Sequence, residues 1–335
     1  MKRIGYLYEK VYNRTNIRYA IQRASKGKKK KPMVKWVMAN ELLVVETIHK
    51  ILKEKSYIPS PYFKSVIKDG LSKKERIIYK PKFYPDQIIH WCLMLVLKDA
   101  LMRGMYHWNC ASIPNRGIHY AKRACEKWIR HDKKNTKYVL KIDIKKYYPS
   151  INKDILKNKF RRILKDNDML WLIDSIIDSH DKGLPIGNYT SQWFANFYLQ
   201  DLDHYIVEKL QVKHMIRYMD DIVIFHSNKR KLKRMFEDIK SKIEEEGLEI
   251  KGNWQIFNLE YRNLDFCGFV YLRDKTFIRK RITKNMRRTW YRFNKSHTQK
   301  KARRMLSYYG WVKHSNSYVL YKKYFNLKLL KEMSK

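Results

Sequence analysis

Acidic side chains are scarce in this chain: 32 Asp and Glu stand against 74 Lys and Arg over 335 residues, a formal charge of +42 at pH 7. That excess goes far beyond what solubility requires and lies in the direction of a surface that neutralises phosphates. A ribosome-associated or membrane-surface protein would carry a similar charge, so composition alone identifies only a polyanionic partner. Cysteine is sparse too. Cys92, Cys110, Cys125 and Cys267 form no C-x-x-C pair and have no histidine nearby at ligand spacing, which argues against a zinc knuckle and a disulfide framework. Buried thiols in a reducing compartment are expected instead. No run approaches the ~20 apolar residues of a membrane span, and Met1 to Tyr12 lacks the apolar centre of a signal peptide. The expectation is a soluble, cytoplasmic protein with no membrane partner, and a single catalytic unit without added nuclease or integrase modules.

The charge is distributed unevenly. From Tyr271 to the end there are twenty Lys and Arg against two acidic residues, interleaved with Trp290, Tyr291, Phe293, Tyr308, Tyr309, Trp311 and Tyr318. That blend suits a helical lobe lying along a nucleic-acid backbone. A second basic run, Lys26 to Lys31, is closed by Pro32 and followed by a helical period from Val34 through Leu52 carried by Val37, Leu42, Val45, Ile48 and Leu52. Lys64 to Pro81 reads as a β-hairpin turning at Asp69-Gly70, with Lys73-Lys74-Glu75-Arg76 as a basic tip. Pro85 to Met102 and Gly117 to His131 have amphipathic helical patterns, and the segment between them carries Pro114-Asn115-Arg116.

Val139 to Ile144 reads as a strand with Leu140, Ile142 and Ile144 on one face and Lys141 and Asp143 on the other. A long helical stretch follows. Gly183 to Asn188 then forms a loop before Thr190, the expected N-cap of a helix bearing Phe194, Phe197, Tyr198, Leu202 and Tyr205. Strands His214 to Tyr218 and Ile222 to Phe225 flank Met219-Asp220-Asp221, which places adjacent carboxylates at a hairpin turn. Lys229 to Glu246 is helical, stopped by Gly247, and further strands are expected near Gln255 to Phe257 and Leu264 to Tyr271.

Nucleotidyl transfer needs two divalent ions roughly 4 Å apart, and magnesium accepts a few carboxylate oxygens completed by water and substrate phosphate. Asp143 on one strand end with Asp220 and Asp221 on a neighbouring hairpin make a sufficient ligand set, although either element alone is a common strand or turn feature. Their order in the chain is more specific: Lys141-Ile-Asp143-Ile-Lys-Lys-Tyr-Tyr148, then Gly183-Leu-Pro-Ile-Gly-Asn-Tyr-Thr-Ser-Gln192, then Tyr218-Met-Asp-Asp221. This resembles the reverse transcriptases, which carry these three blocks in this order in the palm.

The resemblance implies an α+β right-hand polymerase, with fingers and the start of the palm over 1–138, the palm over 139–272 and a basic helical thumb over 273–335. It implies Asp143 and Asp220 as principal ligands of two Mg2+ ions, for which Mn2+ can substitute. Asp221 would be a supporting carboxylate and the Ile144 carbonyl a further ligand. Tyr148 matches the aromatic steric gate that rejects a 2′ hydroxyl. Lys74, Arg76 and Arg116 match basic residues that grip the triphosphate, Ile186, Gly187 and Gln192 belong to the nucleotide-binding block, and Lys251 matches a proton donor to pyrophosphate. The partners implied are deoxynucleotides, template RNA and the RNA/cDNA duplex.

Most of these families place glutamine before the glycine of the second block and end it with Ser-Pro. Here the block reads Ile186-Gly187 and Ser191-Gln192. Together with Phe194-Ala-Asn-Phe-Tyr198 and Tyr309-Gly-Trp-Val-Lys-His-Ser-Asn-Ser-Tyr318, it resembles the reverse transcriptases of diversity-generating retroelements. That likeness implies error-prone copying of a template-repeat RNA at adenines and a small basic accessory protein that forms a ring. Ile186, lacking an amide near the nascent base pair, is the residue tied to low fidelity. Retron-like, intron-type and antiviral reverse transcriptases remain alternatives, as does a non-catalytic RNA-binding scaffold.

Overall fold

The computed structural model describes residues 3–68 and 75–334. Its centre is a four-stranded antiparallel sheet in the order β4-β5-β3-β6, built from β3 (Tyr138–Asp143), β4 (His214–Tyr218), β5 (Asp221–His226) and β6 (Gln255–Asn258). Two smaller antiparallel sheets accompany it. One is the hairpin of β1 (Phe63–Lys68) and β2 (Glu75–Lys80); the other joins β7 (Leu264–Phe266), β8 (Phe269–Tyr271) and β9 (Thr276–Ile278) in sequence order. Helices dominate the remainder, so the class is α+β.

The two-residue period of the central strands divides the core. Leu140, Ile142, Ile222 and Ile224 point into the largest apolar cluster, where the helices Arg14–Ser25, Glu41–Lys53, Ile88–Met102 and Tyr189–Tyr198 pack. Val139, Val223 and Phe225 point the other way, against Cys125 and Trp128 of the helix Ile118–His131 and against β7 and β8. Both faces of the sheet are therefore covered, and each fully buried Val, Ile or Phe contributes about 1.5–3 kcal/mol. A third cluster, from Ile278 to Leu330, belongs to the C-terminal helices Lys280–Lys295, Gln299–Lys313, Tyr318–Tyr324 and Leu327–Glu332. Among the described residues no helix is long and apolar enough to cross a membrane. Cys92, Cys110 and Cys125 are buried, Cys267 is half-buried, and all four are free thiols.

Several local expectations are corrected. The pattern from Val34 to Leu52 is two helices, Pro32–Ala39 and Glu41–Lys53, because Asn40 leaves the helical region at φ −114° and ψ 35°. The break shifts the phase, and Leu42 is left 70% exposed. The helix expected from Pro85 begins at Ile88. Tyr84, restricted by the following proline, is extended at φ −116° and ψ 130°, and Phe83–Gln87 forms a wide turn. After Ile151 there are two helices, Lys153–Ile163 and Asn167–Asp178, each started by a side-chain cap from Asn152 or Asp166. Asn188, not Thr190, occupies the N-cap of Tyr189–Tyr198, and its amide donates to the Tyr62 hydroxyl rather than capping the helix.

Candidate active site

Sheet register gathers the acidic residues. In the β3–β5 ladder Asp143 lies opposite Asp221, and in the β4–β5 ladder Tyr218 lies opposite Asp221. Met219 and Asp220 are thus the two residues of a tight turn, with Met219 at φ +56° in the left-handed region. The Ile144 amide donates to the Asp220 carbonyl at 3.2 Å, tying the end of β3 to that turn. Asp143 lies near enough to Asp220 for its charge to act on it, and Lys251 Nζ donates to Asp143 Oδ1. Burial raises the Asp220 pKa, the charge of Asp143 raises it further, and Lys251 opposes the shift.

Asp221 faces elsewhere. Its Oδ2 lies 3.6 Å from Lys141 Nζ, and its Oδ1 is buried without a hydrogen-bond partner. Burial pushes its pKa up to about 7, Lys141 pulls it down, and the charges of Asp143 and Asp220 push it up. Among the described residues, no three His, Cys, Asp or Glu side chains gather closely enough to form a ready-made metal cage. The donor set is nonetheless all oxygen. Two adjoining carboxylates suit magnesium, which keeps water and takes substrate phosphate in its remaining positions.

Tyr148 stands over this turn. Lys146, left-handed at φ +45°, turns the chain after β3 into the short helix Tyr147–Ser150, and the Tyr148 hydroxyl reaches Met219 Sδ at 3.7 Å. Burial and then the charge of Asp220 raise its hydroxyl pKa, so the ring is neutral. The loop Gly183 to Asn188 is fastened at both ends. The Leu184 amide donates to the Tyr148 carbonyl at 2.9 Å, and the Tyr79 amide of β2 donates to the Ile186 carbonyl at 2.8 Å. Glycine is required at Gly187, with φ +130°, because a Cβ there would meet the Tyr79 carbonyl oxygen at 2.4 Å.

The other expected site residues are dispersed. Arg76 is exposed on β2 opposite Ile67, while Lys74 lies outside the described residues. Arg116 Nη1 donates to the carbonyls of Tyr106 at 2.9 Å and Asn109 at 3.3 Å. Ile186 is half-buried in the loop, and Gly187 and Gln192 line a cavity with Lys28, Lys31 and Lys80.

Sequence reasoning missed Arg217. This residue is fully buried, and its guanidinium donates from Nε to Asp203 Oδ1 at 2.7 Å and from Nη2 to Asp203 Oδ2 at 2.5 Å. Nη2 also reaches the Asn196 carbonyl at 3.1 Å, and Nη1 reaches the Met219 carbonyl at 3.1 Å. A buried bidentate ion pair therefore holds the turn that carries Asp220. The available signal was positional: Arg217 shares the parity of Met215, which faces the core.

Comparison with known proteins agrees with this geometry. The family described as "Reverse transcriptase (RNA-dependent DNA polymerase)" matches residues 85–270. A relative, the Retron Ec73 reverse transcriptase of Escherichia coli, is 28% identical over 197 residues, covering 55% of this chain and 60% of that protein. Apo telomerase from Candida tropicalis, truncated from its C-terminal domain, matches with TM-score 0.50 at 17% identity over 68% of this chain and 58% of that one. Telomerase from Candida albicans, in complex with a TWJ fragment of telomeric RNA, matches with TM-score 0.51 at 12% identity over 75% and 51%. The chain thus spans between about half and three fifths of the length of these proteins. The structural likenesses establish the fold, an α+β right-hand polymerase.

Proposed function

The chain belongs to the reverse transcriptase (RNA-dependent DNA polymerase) family, and from that premise we propose that it copies RNA into DNA at the Asp143–Asp220 site. The observation that carries this reading is the register that brings Asp143 of β3 against the Met219-Asp220 turn beneath Tyr148. Asp143 and Asp220 would hold divalent ions, Mg2+ or in its place Mn2+, with the Ile144 carbonyl and Asp221 in support. Such ions supply Lewis acidity to the primer hydroxyl and to the triphosphate.

In this reading the protein's own groups position and select. Tyr148 occupies the volume a 2′ hydroxyl would need, so deoxynucleotides fit and ribonucleotides clash. Arg76 on the hairpin grips the triphosphate together with Lys74, with Arg116 as a further cation. Lys251, in contact with Asp143, is positioned to give a proton to the leaving pyrophosphate. The hairpin and N-terminal helices act as fingers, the central sheet as palm and the basic C-terminal helices as thumb.

We further propose that the template is a repeat RNA of a diversity-generating retroelement, copied with errors at adenines beside a small ring-forming accessory protein. The Leu184-Pro-Ile-Gly-Asn-Tyr-Thr-Ser-Gln192 block supports it. A retron-type template is the second reading, supported by the 28% identical relative.

RNA-templated primer extension with magnesium and deoxynucleotides, followed by cDNA sequencing, tests all three levels. Extension lost in Asp220→Ala by at least about a thousandfold is expected of a metal-binding carboxylate. Errors concentrated at template adenines support the diversifying reading, whereas faithful cDNA favours the retron-type one. No extension under any condition, with RNA binding intact, would leave a non-catalytic scaffold.

A further inference from the structure

The face of the central sheet that carries Asp143 and Asp221 also carries Lys141, two residues earlier on β3, and β7 and β8 cover that face. Lys141 crosses between the two layers. Its Nζ donates to the Asp265 carbonyl of β7 at 2.7 Å and lies 3.6 Å from Asp221 Oδ2. None of the metal ligands or nucleotide contacts proposed above makes use of it.

Asp265 passes the connection on. It stands opposite Val270 in the β7–β8 ladder, its carboxylate accepts from Arg279 Nε at 2.7 Å, and Arg279 Nη2 pairs with the same oxygen. Arg279 is the N-cap of the helix Lys280–Lys295, and its amide donates to the Gly268 carbonyl at 2.9 Å. One residue thus receives Lys141 on its main chain and Arg279 on its side chain, which joins the carboxylate end of the central sheet to the first C-terminal helix. The later helices follow through Asn316, which exchanges two 2.8 Å bonds with Thr276 of β9. At the other end of β8, Arg273 Nη1 donates to Thr136 Oγ1 at 2.8 Å, beyond the end of β3 opposite Asp143. Held there, the small sheet can tilt but not detach when the Lys141 bond is lost.

We propose that Lys141 is a positioning residue: by holding the Asp265 carbonyl beside Asp221 it sets, through Arg279, where the C-terminal helices stand relative to the Asp143–Asp220 turn. The inference rests on the polymerase reading for what those helices grip, the primer–template duplex, and adds the residue that fixes their place. An ammonium has three donors, so Lys141 serves the carbonyl and the carboxylate together, whereas methionine keeps the apolar stem and serves neither.

The test uses the full chain with dyes in place of Lys240 and Lys284, exposed residues of the helices Lys229–Glu245 and Lys280–Lys295. Energy transfer between them reports the placement of the C-terminal helices without any catalysis. In Lys141→Met the transfer efficiency should shift or broaden. Affinity for a primer–template duplex and kcat should each fall about tenfold, a size usual for changes along a coupled network, with KM for deoxynucleotide as in wild type. Arg279→Gln should do the same, and the double variant should be no worse than the more affected single one, because either change breaks one chain of contacts. Lys141→Arg, which keeps a charged donor, should restore most of the transfer signal and the affinity. Circular dichroism selects the variants that remain folded; if Lys141→Met is not among them, Lys141→Gln and Arg279→Gln carry the same readout. Unchanged transfer in the folded Lys141 variants overturns the proposal, as do additive losses in the double variant. A loss of kcat with wild-type transfer would mean that Lys141 acts on Asp221 itself, which also overturns it. Wild-type protein that shows Lys141-dependent transfer but extends no primer would remove the polymerase reading and leave the positioning role standing.

Discussion

At the scale of single residues, charge at this site is held by partners and not by solvent. Arg217 and Asp203 are both fully buried, and breaking such a pair by removing one member costs about 3–5 kcal/mol. Arg217→Leu is expected to lose that much in denaturant unfolding, whereas Arg217→Met with Asp203→Leu should recover most of it. The double variant still lacks the donor to the Met219 carbonyl, so its kcat should fall with little change in substrate KM. Wild-type kcat in that variant would mean that the pair only supports the fold. His90 gives a pH signature. Its folded pKa of about 4 lies below the ordinary 6.5, so the unfolded chain takes the proton first and stability falls as pH drops from 6.5 towards 4. The loss approaches about 1.4 kcal/mol per pH unit, and Asp86, whose charge favours the protonated ring, moderates it. His90→Asn should flatten the slope between pH 6.5 and 5; parallel slopes would refute the assignment. That Asp143, Asp220 and Asp221 meet at one end of the sheet, with Tyr148 close by, was legible in the sequence because strand register follows from apolar spacing. Arg217 was not, since a strand residue discloses its burial only once both sheet faces are known to be covered.

Elements were legible where periodicity was strong. The β1–β2 hairpin, the strands β3, β4 and β5 and the helix Lys229–Glu245 lie within a residue or so of where apolar spacing puts them. What failed was continuity: Asn40, Asn152 and Asp166 interrupt or cap helices that hydropathy alone runs together. Asn188 illustrates the limit, since its amide serves Tyr62, distant in sequence, and no local rule anticipates that. The loop glycine offers a direct check. Gly187→Ala would drive a methyl group into the Tyr79 carbonyl from a backbone region alanine disfavours. A loss of about 1–3 kcal/mol is expected from that strain. Primer extension should fall more than stability does, because the displaced partner is the β1–β2 hairpin, which the proposed function assigns to the fingers. Equal melting temperature and activity to wild type would show that the loop relaxes freely.

Over the whole molecule, three apolar clusters carry the architecture and the excess of cations carries the partner. The electrostatic part of RNA binding scales with the number of phosphates neutralised. Raising salt from ~50 to ~200 mM should therefore weaken RNA binding about a thousandfold or more, as for a protein that contacts at least six phosphates. An affinity indifferent to salt would contradict the polyanion reading. Composition points to a polyanion, whereas RNA as the proposed partner comes from the order of the motifs and the family match.

The loop between Gly183 and Asn188 has a consequence for sequence change. Its carbonyl and amide groups are shared with Tyr148 on one side and Tyr79 on the other, so its span is set by two fixed points belonging to different parts of the protein. Under the proposed function, substitutions along it alter what a nucleotide meets. A residue inserted or deleted there would put Tyr148 and the hairpin out of step, which makes length, more than identity, the quantity this segment cannot vary.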